Sequence, residues 1–288
     1  MKKSALFQFA ERKYPYRKLK NVLILSTLYL SAMLAVTFLG AVFAYVVMRG
    51  VPGLSLSFLT ELPKPVGEEG GGMANALLGS LELVFLASSL GIVWGVMVGV
   101  YLSEFGREKM ASSVRFATEL LNSVPSIVIG VFVYVILVKP LKTFSTLAGA
   151  VALGVLMVPT IARTTEEILK MMPVHFREAG LALGIPRWKV ILKVVVRGSI
   201  PGITTGVILA VARVAGETAP LLFTALNNRF WQFGLFEPIA SLPVQIYTYA
   251  ISPFEEWHTQ AWAGALILVL FVFAINLCTR VLLAKRSQ

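Results

Sequence analysis

The sequence predicts an all-α integral membrane protein with about six transmembrane helices, and three observations carry that prediction. First, 57% of the 288 residues are hydrophobic and only 14% are charged, against about 25% charged in a soluble domain. Second, the apolar residues come in long uncharged runs. Asn21–Met48, Leu83–Ser103, Leu120–Val138, Thr143–Ala162 and Thr259–Thr279 contain no Glu, Lys or Arg. Each approaches the ~20 residues needed to cross ~30 Å of hydrocarbon. Lipid offers backbone groups no hydrogen-bond partners, so such runs have to be helices. Third, Lys and Arg are distributed unevenly between the runs. With the N-terminus inside, the inner segments hold 20 of them and the outer segments five, which favours both termini in the cytosol. The net charge of +11 is therefore a topology signal and no sign of a nucleic-acid partner.

In chain order, a basic segment (1–20) precedes a first span at 21–48. That span is too long for the apolar region of a signal peptide and lacks a convincing cleavage site, so it is expected to stay as an anchor. An outer loop at 49–75, rich in Gly and Pro, ends in Gly70-Gly71-Gly72. Further spans follow at 76–103, 114–138 and 144–169. An inner loop occupies 170–201, a fifth span 202–226, and an outer segment 227–258. That segment carries Trp231, Phe233, Phe236, Tyr247, Tyr249, Phe254 and Trp257, so part of it is expected in the headgroup region or folded back into the protein. The last span is read at 259–283, and the segment 21–288 as one transmembrane domain.

Several chemistries are absent. Every acidic residue is Glu, so no aspartyl-phosphate site exists and no Asp is available as a metal ligand. No phosphate-cradling G-x-x-x-x-G-K-[ST] loop occurs. His175 and His258 fall on opposite sides of the predicted membrane, which argues against a shared metal site. The single Cys278 permits no internal disulfide. No catalytic constellation is present, so transport would draw its energy from an ion gradient or from a partner.

Two segments carry functional signals. In the inner loop, Pro173 suits the first turn of a helix, Gly184 its stop, and Pro186 prevents continuation. The short helix between them is small and apolar at Ala179, Gly180 and Ala182. That pattern suits either close approach by another protein or a helix lying on the headgroups. In the fifth span, Arg213 and Glu217 interrupt an apolar run. From a start near Gly202, Arg213 lies about 16 Å along the helix, close to mid-bilayer. A charge there costs at least ~2.5–3.5 kcal/mol and has to face protein or water. Glu217 is four residues on and within pairing reach, while Gly216 and Pro220 can loosen the helix. The pair reads either as a packing ion pair or as part of an anion pathway, since a guanidinium fork suits phosphate or carboxylate oxygens. Glu82 and Glu119, near span ends, are expected to reach the headgroups.

Glu178-Ala179-Gly180 followed by Gly184 resembles the EAA loop of ABC importer permeases, with Val196-Arg197 where that family has Leu-Pro. The resemblance extends along the chain to the PstA-type permeases of phosphate importers. It is carried by Gly71-Gly72-Met73-Ala74-Asn75-Ala76, Asn122-Ser123-Val124-Pro125-Ser126, and Val158-Pro159-Thr160-Ile161-Ala162-Arg163-Thr164-Thr165-Glu166. Arg213-Val214-Ala215-Gly216-Glu217-Thr218-Ala219-Pro220 and Ser252-Pro253-Phe254-Glu255-Glu256-Trp257 complete it. The resemblance implies the ABC type I importer permease fold and a place in the prokaryotic cytoplasmic (inner) membrane. It implies a substrate path along Arg213, Glu217, Thr218, Asn122 and Ser123, and at Arg163, for which a topology anchor is an equal reading. Coupling to an ATPase would run through Arg177, Glu178, Ala179, Gly180, Ala182 and Gly184. The implied partners are a sister permease, two ATP-binding subunits on the cytosolic face, and an outer phosphate-binding protein. This chain would bind no metal or cofactor, and ATP and Mg would belong to the partner subunits. From the residues alone, a permease for sulfate, molybdate or phosphonate, a gradient-driven transporter and a membrane scaffold stay open.

Overall fold

The computed structural model describes residues 5–65, 67–68, 70–106 and 109–286, and every regular element among them is helical. Five helices are long and apolar enough to cross a membrane, or six if one bent pair counts as a single span. The chain divides into two compact units at Arg49/Gly50.

The first unit is helix α1, Ala5–Gly50. It contains the predicted 21–48 span and continues through much of the basic segment before it. Within the apolar run Thr27 and Ser31 donate to the Leu23 and Leu28 carbonyls of the same helix.

The second unit is built on two parallel helices, α3 (Ala74–Glu104) and α6 (Thr146–Met171), after a short α2 (Leu56–Thr60). Gly91, Gly95 and Gly99 recur every fourth residue and so form one stripe on α3. The stripe lies directly on Met157, Ile161 and Thr165 of α6. A Cβ on Gly91 or Gly95 would stand 2.7 Å from the Cβ of Met157 or Ile161, and one on Gly99 would stand 2.5 Å from that of Thr165. Small residues at such a seam let two backbones approach, which is how helices gain contact energy without a hydrophobic drive between them. Leu83, Ala87, Ala148, Ala152, Leu153, Met157 and Ile161 extend the buried core along the same seam.

The span predicted at 114–138 is two helices. α4 (Lys109–Ser123) and α5 (Ser126–Leu141) meet at 105°. Pro125 explains the bend: it has no N–H to donate and drives the residue before it out of the helical region. Its backbone is extended (φ −56°, ψ 137°), and α4 closes with Val124 N–H and Ser123 Oγ both on the Leu120 carbonyl.

The fifth span also differs from its predicted bounds of 202–226. After α7 (Val174–Ala182), helix α8 runs from Arg187 to Val214. The chain opens at 215–218 and resumes as α9 (Ala219–Thr224). α8 is antiparallel to α6, with Gly198, Gly202 and Gly206 against Met172, Ile168 and Thr164. The last helices are α10 (Leu242–Ala250) and α11 (Glu255–Arg286).

The outer segment 227–258 folds back into the protein over 239–245, and α10 is buried at Leu242, Pro243, Val244, Gln245 and Tyr249. The free N–H groups that begin every helix find partners here. Ser145, Thr146 and Leu147 donate to the carbonyls of Thr224, Glu237 and Leu235, and Ala148 N–H donates to the Ser145 hydroxyl. Ser80 Oγ accepts from Leu242 N–H at 2.7 Å, and Asn75 Nδ2 donates to the Asn228 carbonyl at 2.6 Å.

The seam separates two glycine substitutions. Gly95→Ala would force apart α3 and α6 and is expected to cost about 1–3 kcal/mol of stability. At Gly154 a Cβ would meet nothing closer than 3.4 Å, so Gly154→Ala is expected to be neutral or slightly stabilising, because Ala is the better helix former. Unfolding midpoints of the two purified variants, followed by tryptophan fluorescence, check the contrast.

Candidate functional site

Arg213 occupies the last turn of α8. Continuing the Gly206–Thr164 register brings it level with Met157, itself opposite Gly91. Met157 lies about 17 Å from the start of α6 and about 21 Å from its end at 1.5 Å per residue, so Arg213 sits near mid-height of the bundle. The inward face of α8 carries Ile203, Gly206 and Ala210, all buried, while Pro201, Thr205, Leu209 and Arg213 form an exposed stripe at four-residue spacing. The guanidinium, 54% exposed, projects from that stripe, and Glu217, 18% exposed, approaches it at 4.0 Å. That distance makes a loose ion pair and no hydrogen bond. Neither group is locked to the other, and the donors of Arg213 are available to an oxyanion.

The helix break beside the pair has a local cause. Ala215 and Gly216 close α8 onto Val211 and Arg213, Glu217 N–H bonds to Val214, and Pro220 sits in the first turn of α9, where its missing N–H costs nothing. Thr218 precedes α9, and its carbonyl accepts from Leu221 and Leu222. The helices that follow the two interruptions pack on each other: a Cβ on Gly130 of α5 would stand 2.6 Å from the Pro220 Cα of α9. Asn122 and Ser123 end α4 at that bend, both exposed, and the Ser123 hydroxyl is turned onto its own helix.

Arg163 is set apart from Arg213. Its Nε donates to Glu167 at 2.7 Å and its Nη1 to Glu119 at 3.3 Å. It therefore ties α4 to α6, and Glu119, expected at the headgroups, is the partner that it holds.

At the other candidate locus, α7 stands as a short helix between prolines, close to its predicted bounds. Gly184 N–H bonds to Leu181 and Ile185 N–H to Gly180, with Gly184 at φ +71°. This is the double hydrogen bond that ends a helix on a left-handed residue. Val174, Phe176, Leu181 and Leu183 are exposed, as are Glu178, Ala179 and Ala182. Gly180 and Arg177 turn inward instead. A Cβ on Gly180 would meet Val190 at 2.7 Å, so its small size serves packing on α8. Arg177 donates three bonds to the Glu104 carboxylate, Nε to Oε1 at 3.0 Å and to Oε2 at 3.3 Å and Nη2 to Oε1 at 2.7 Å, and others to the carbonyls of Met172 and Leu169. Glu104 is 5% exposed. A guanidinium–carboxylate contact made through two N–H groups fixes orientation as well as distance. Glu104 was not singled out from the sequence, because it lies 73 residues from its partner and reads as the charged end of an apolar run.

Among the described residues no group of three or more His, Cys, Asp or Glu could hold a metal ion. The site offers charge and shape to a solute, and an apolar face to a neighbour.

Residues 91–287 match the family model described as binding-protein-dependent transport system inner membrane component. The chain is 43% identical over 286 residues to the phosphate transport system permease protein PstA of Yersinia pestis, covering 99% of this chain and 97% of the relative. It is 44% identical to the protein of the same name from Haemophilus influenzae, covering 93% and 95%. It is 35% identical to a probable PstA of Methanocaldococcus jannaschii, covering 90% and 92%. Among solved structures, an inward-facing conformation of the MetNI methionine ABC transporter aligns with TM-score 0.63 at 21% identity. That alignment covers 74% of this chain and 96% of the other.

Arg177→Ala strands the Glu104 carboxylate away from water and is expected to cost about 3 kcal/mol. The double change Glu104→Gln with Arg177→Ala should recover part of that loss. Gly184→Ala should cost about 1–2 kcal/mol through its left-handed backbone alone and leave the ion pair in place. Denaturant titrations of the purified variants measure all three.

Proposed function

The chain belongs to the binding-protein-dependent transport system inner membrane components, and within them to the PstA-type permeases; from this membership we propose that it forms half of the path through which an ATP-driven importer carries inorganic phosphate across the cytoplasmic membrane. It is a membrane component of the transporter, and ATP hydrolysis falls to its partners. The observation that carries the reading is Arg213: a permanent cation at mid-height of the bundle, beside a break in its helix, on a face that α6 does not cover. A guanidinium held there offers a planar fork to a phosphate oxygen pair and stays charged at any physiological pH. Glu217 at 4.0 Å tempers that attraction, so the anion is passed on and not trapped. Thr218, Asn122 and Ser123 supply neutral polar groups at the two adjoining helix interruptions. Freed backbone groups of that kind are tolerated at membrane depth where they line a cavity or meet protein.

The partners follow from the same reading. A sister permease covers the exposed stripe of α8 and completes the path. Two ATP-binding subunits approach from the cytosol, where both termini and α7 lie, and one receives the exposed apolar face of α7. Glu178, Ala179, Ala182 and Gly184 form or shape that docking face, whereas Arg177 and Gly180 hold the helix to its own chain. An extracytoplasmic phosphate-binding protein delivers the substrate at the opposite end.

Arg213→Met keeps the length and apolar stem of the side chain and removes its charge. In proteoliposomes containing the sister permease, the ATP-binding subunits and the binding protein, the variant is expected to assemble normally. Its phosphate uptake should fall at least tenfold, as when one charge-assisted contact of about 1.5–3 kcal/mol is lost. Undiminished uptake would reduce the pair to a packing contact.

A further inference from the structure

Four cations from four elements converge at the α7 end of the bundle. Arg115 of α4, Lys170 of α6, Arg177 of α7 and Arg187 of α8 line one cavity of about 830 Å³, together with Glu104 and Phe105. Among the described residues two carboxylates balance them. Glu104 is taken up by Arg177. Glu166 receives both Arg115 and Lys170, at 2.7 and 2.6 Å, and lies 5% exposed behind them. Arg187 donates to the Glu104 backbone carbonyl at 2.6 Å and stacks over the Phe105 ring, its guanidinium carbon 4.8 Å from the centroid. It faces no carboxylate among the described residues. Among the described residues two positive charges are left in excess, and the four cations all border the cavity.

Depth and size narrow the ligand. Glu104 ends α3, Lys170 stands in the last turn of α6, and Arg187 begins α8. The cavity is thus at the level where spans leave the membrane, the depth of lipid headgroups. Its volume falls within the ~300–1,000 Å³ of small-molecule sites and far exceeds one tetrahedral oxyanion. Basic pockets between spans are suited to anionic headgroups.

We propose that this cavity binds a phosphate-bearing anion, the headgroup phosphate of an anionic lipid being the source that depth and size favour, and that the bound phosphate bridges Arg187 to Arg115 and Lys170. The anion then fastens α8, and α7 packed on it through Gly180 and Val190, to the α4 and α6 ends. This role is independent of what the protein transports.

The test uses the purified transporter complex in nanodiscs of phosphatidylcholine alone, of phosphatidylcholine with phosphatidylglycerol, and of phosphatidylcholine with millimolar inorganic phosphate. Thermal unfolding and bound lipid by native mass spectrometry are read in each. Phosphatidylglycerol is expected to raise the unfolding midpoint and to stay bound through desolvation. Arg187→Gln leaves the Glu104 and Glu166 pairs intact and should weaken that binding about tenfold, the loss of one charge-assisted contact. Lys193→Gln removes the same charge from the same end of the bundle outside the cavity, and should change nothing. Protection by inorganic phosphate in neutral lipid, lost in Arg187→Gln, supports the site and assigns free phosphate as its source. The proposal is overturned if neither anion protects the parent complex, or if Arg187→Gln and Lys193→Gln behave alike.

Discussion

The close contact between α3 and α6 sets the rest of the second unit. Three glycines spaced by four let the Met157, Ile161 and Thr165 side chains of α6 press directly onto the backbone of α3. In lipid there is little hydrophobic gain in bringing helices together, so the contact energy has to come from dispersion at short range. α6 is then covered on its other faces by α8, through a second glycine series, and by α4, through the Arg163 and Arg115 ion pairs. The mid-height position of Arg213 is a consequence of this register. It is measured along α6 from contacts at Gly202 and Gly206, and not from the start of its own helix.

Around that rigid pair the structure places its irregular backbone. The bend at Pro125 and the opening at 215–218 are both interruptions that lipid would not tolerate alone. The helices that follow them meet at Gly130 and Pro220, next to buried Leu221 and Ala225. A helix broken beside a fixed charge leaves polar groups where a passing anion can use them. In the proposed transporter this is the reason for having breaks at this depth, where continuous helices would have been more stable.

The α7 end follows a different logic. A short helix on its own is marginal in water, and α7 is held by three devices: its left-handed stop at Gly184, the Gly180–Val190 contact, and the Arg177–Glu104 pair. Glu104 ends α3, so a displacement of α7 is passed straight to one of the two central helices. In the proposed complex, motion of an ATP-binding subunit would reach the glycine seam by this route.

The sequence by itself determined the helical membrane class, because uncharged runs of span length admit no other backbone solution in lipid. It also determined α7, whose bounding Pro173, Gly184 and Pro186 act through local backbone geometry. The Arg213–Glu217 pair was legible as two charges four residues apart in an apolar run, although the helix ends at Val214 and Glu217 lies in the opening that follows, at 4.0 Å. The bend of 105° within 114–138 and the start of α8 at Arg187 have local causes in Pro125 and Pro186, which the uncharged runs masked. The tertiary structure alone decided that Arg177 and Gly180 turn inward while their neighbours face out. It alone brought Glu104 to Arg177 and four cations to one cavity. Those outcomes rest on contacts between residues dozens of positions apart, and no local propensity encodes which face of a helix another helix will cover.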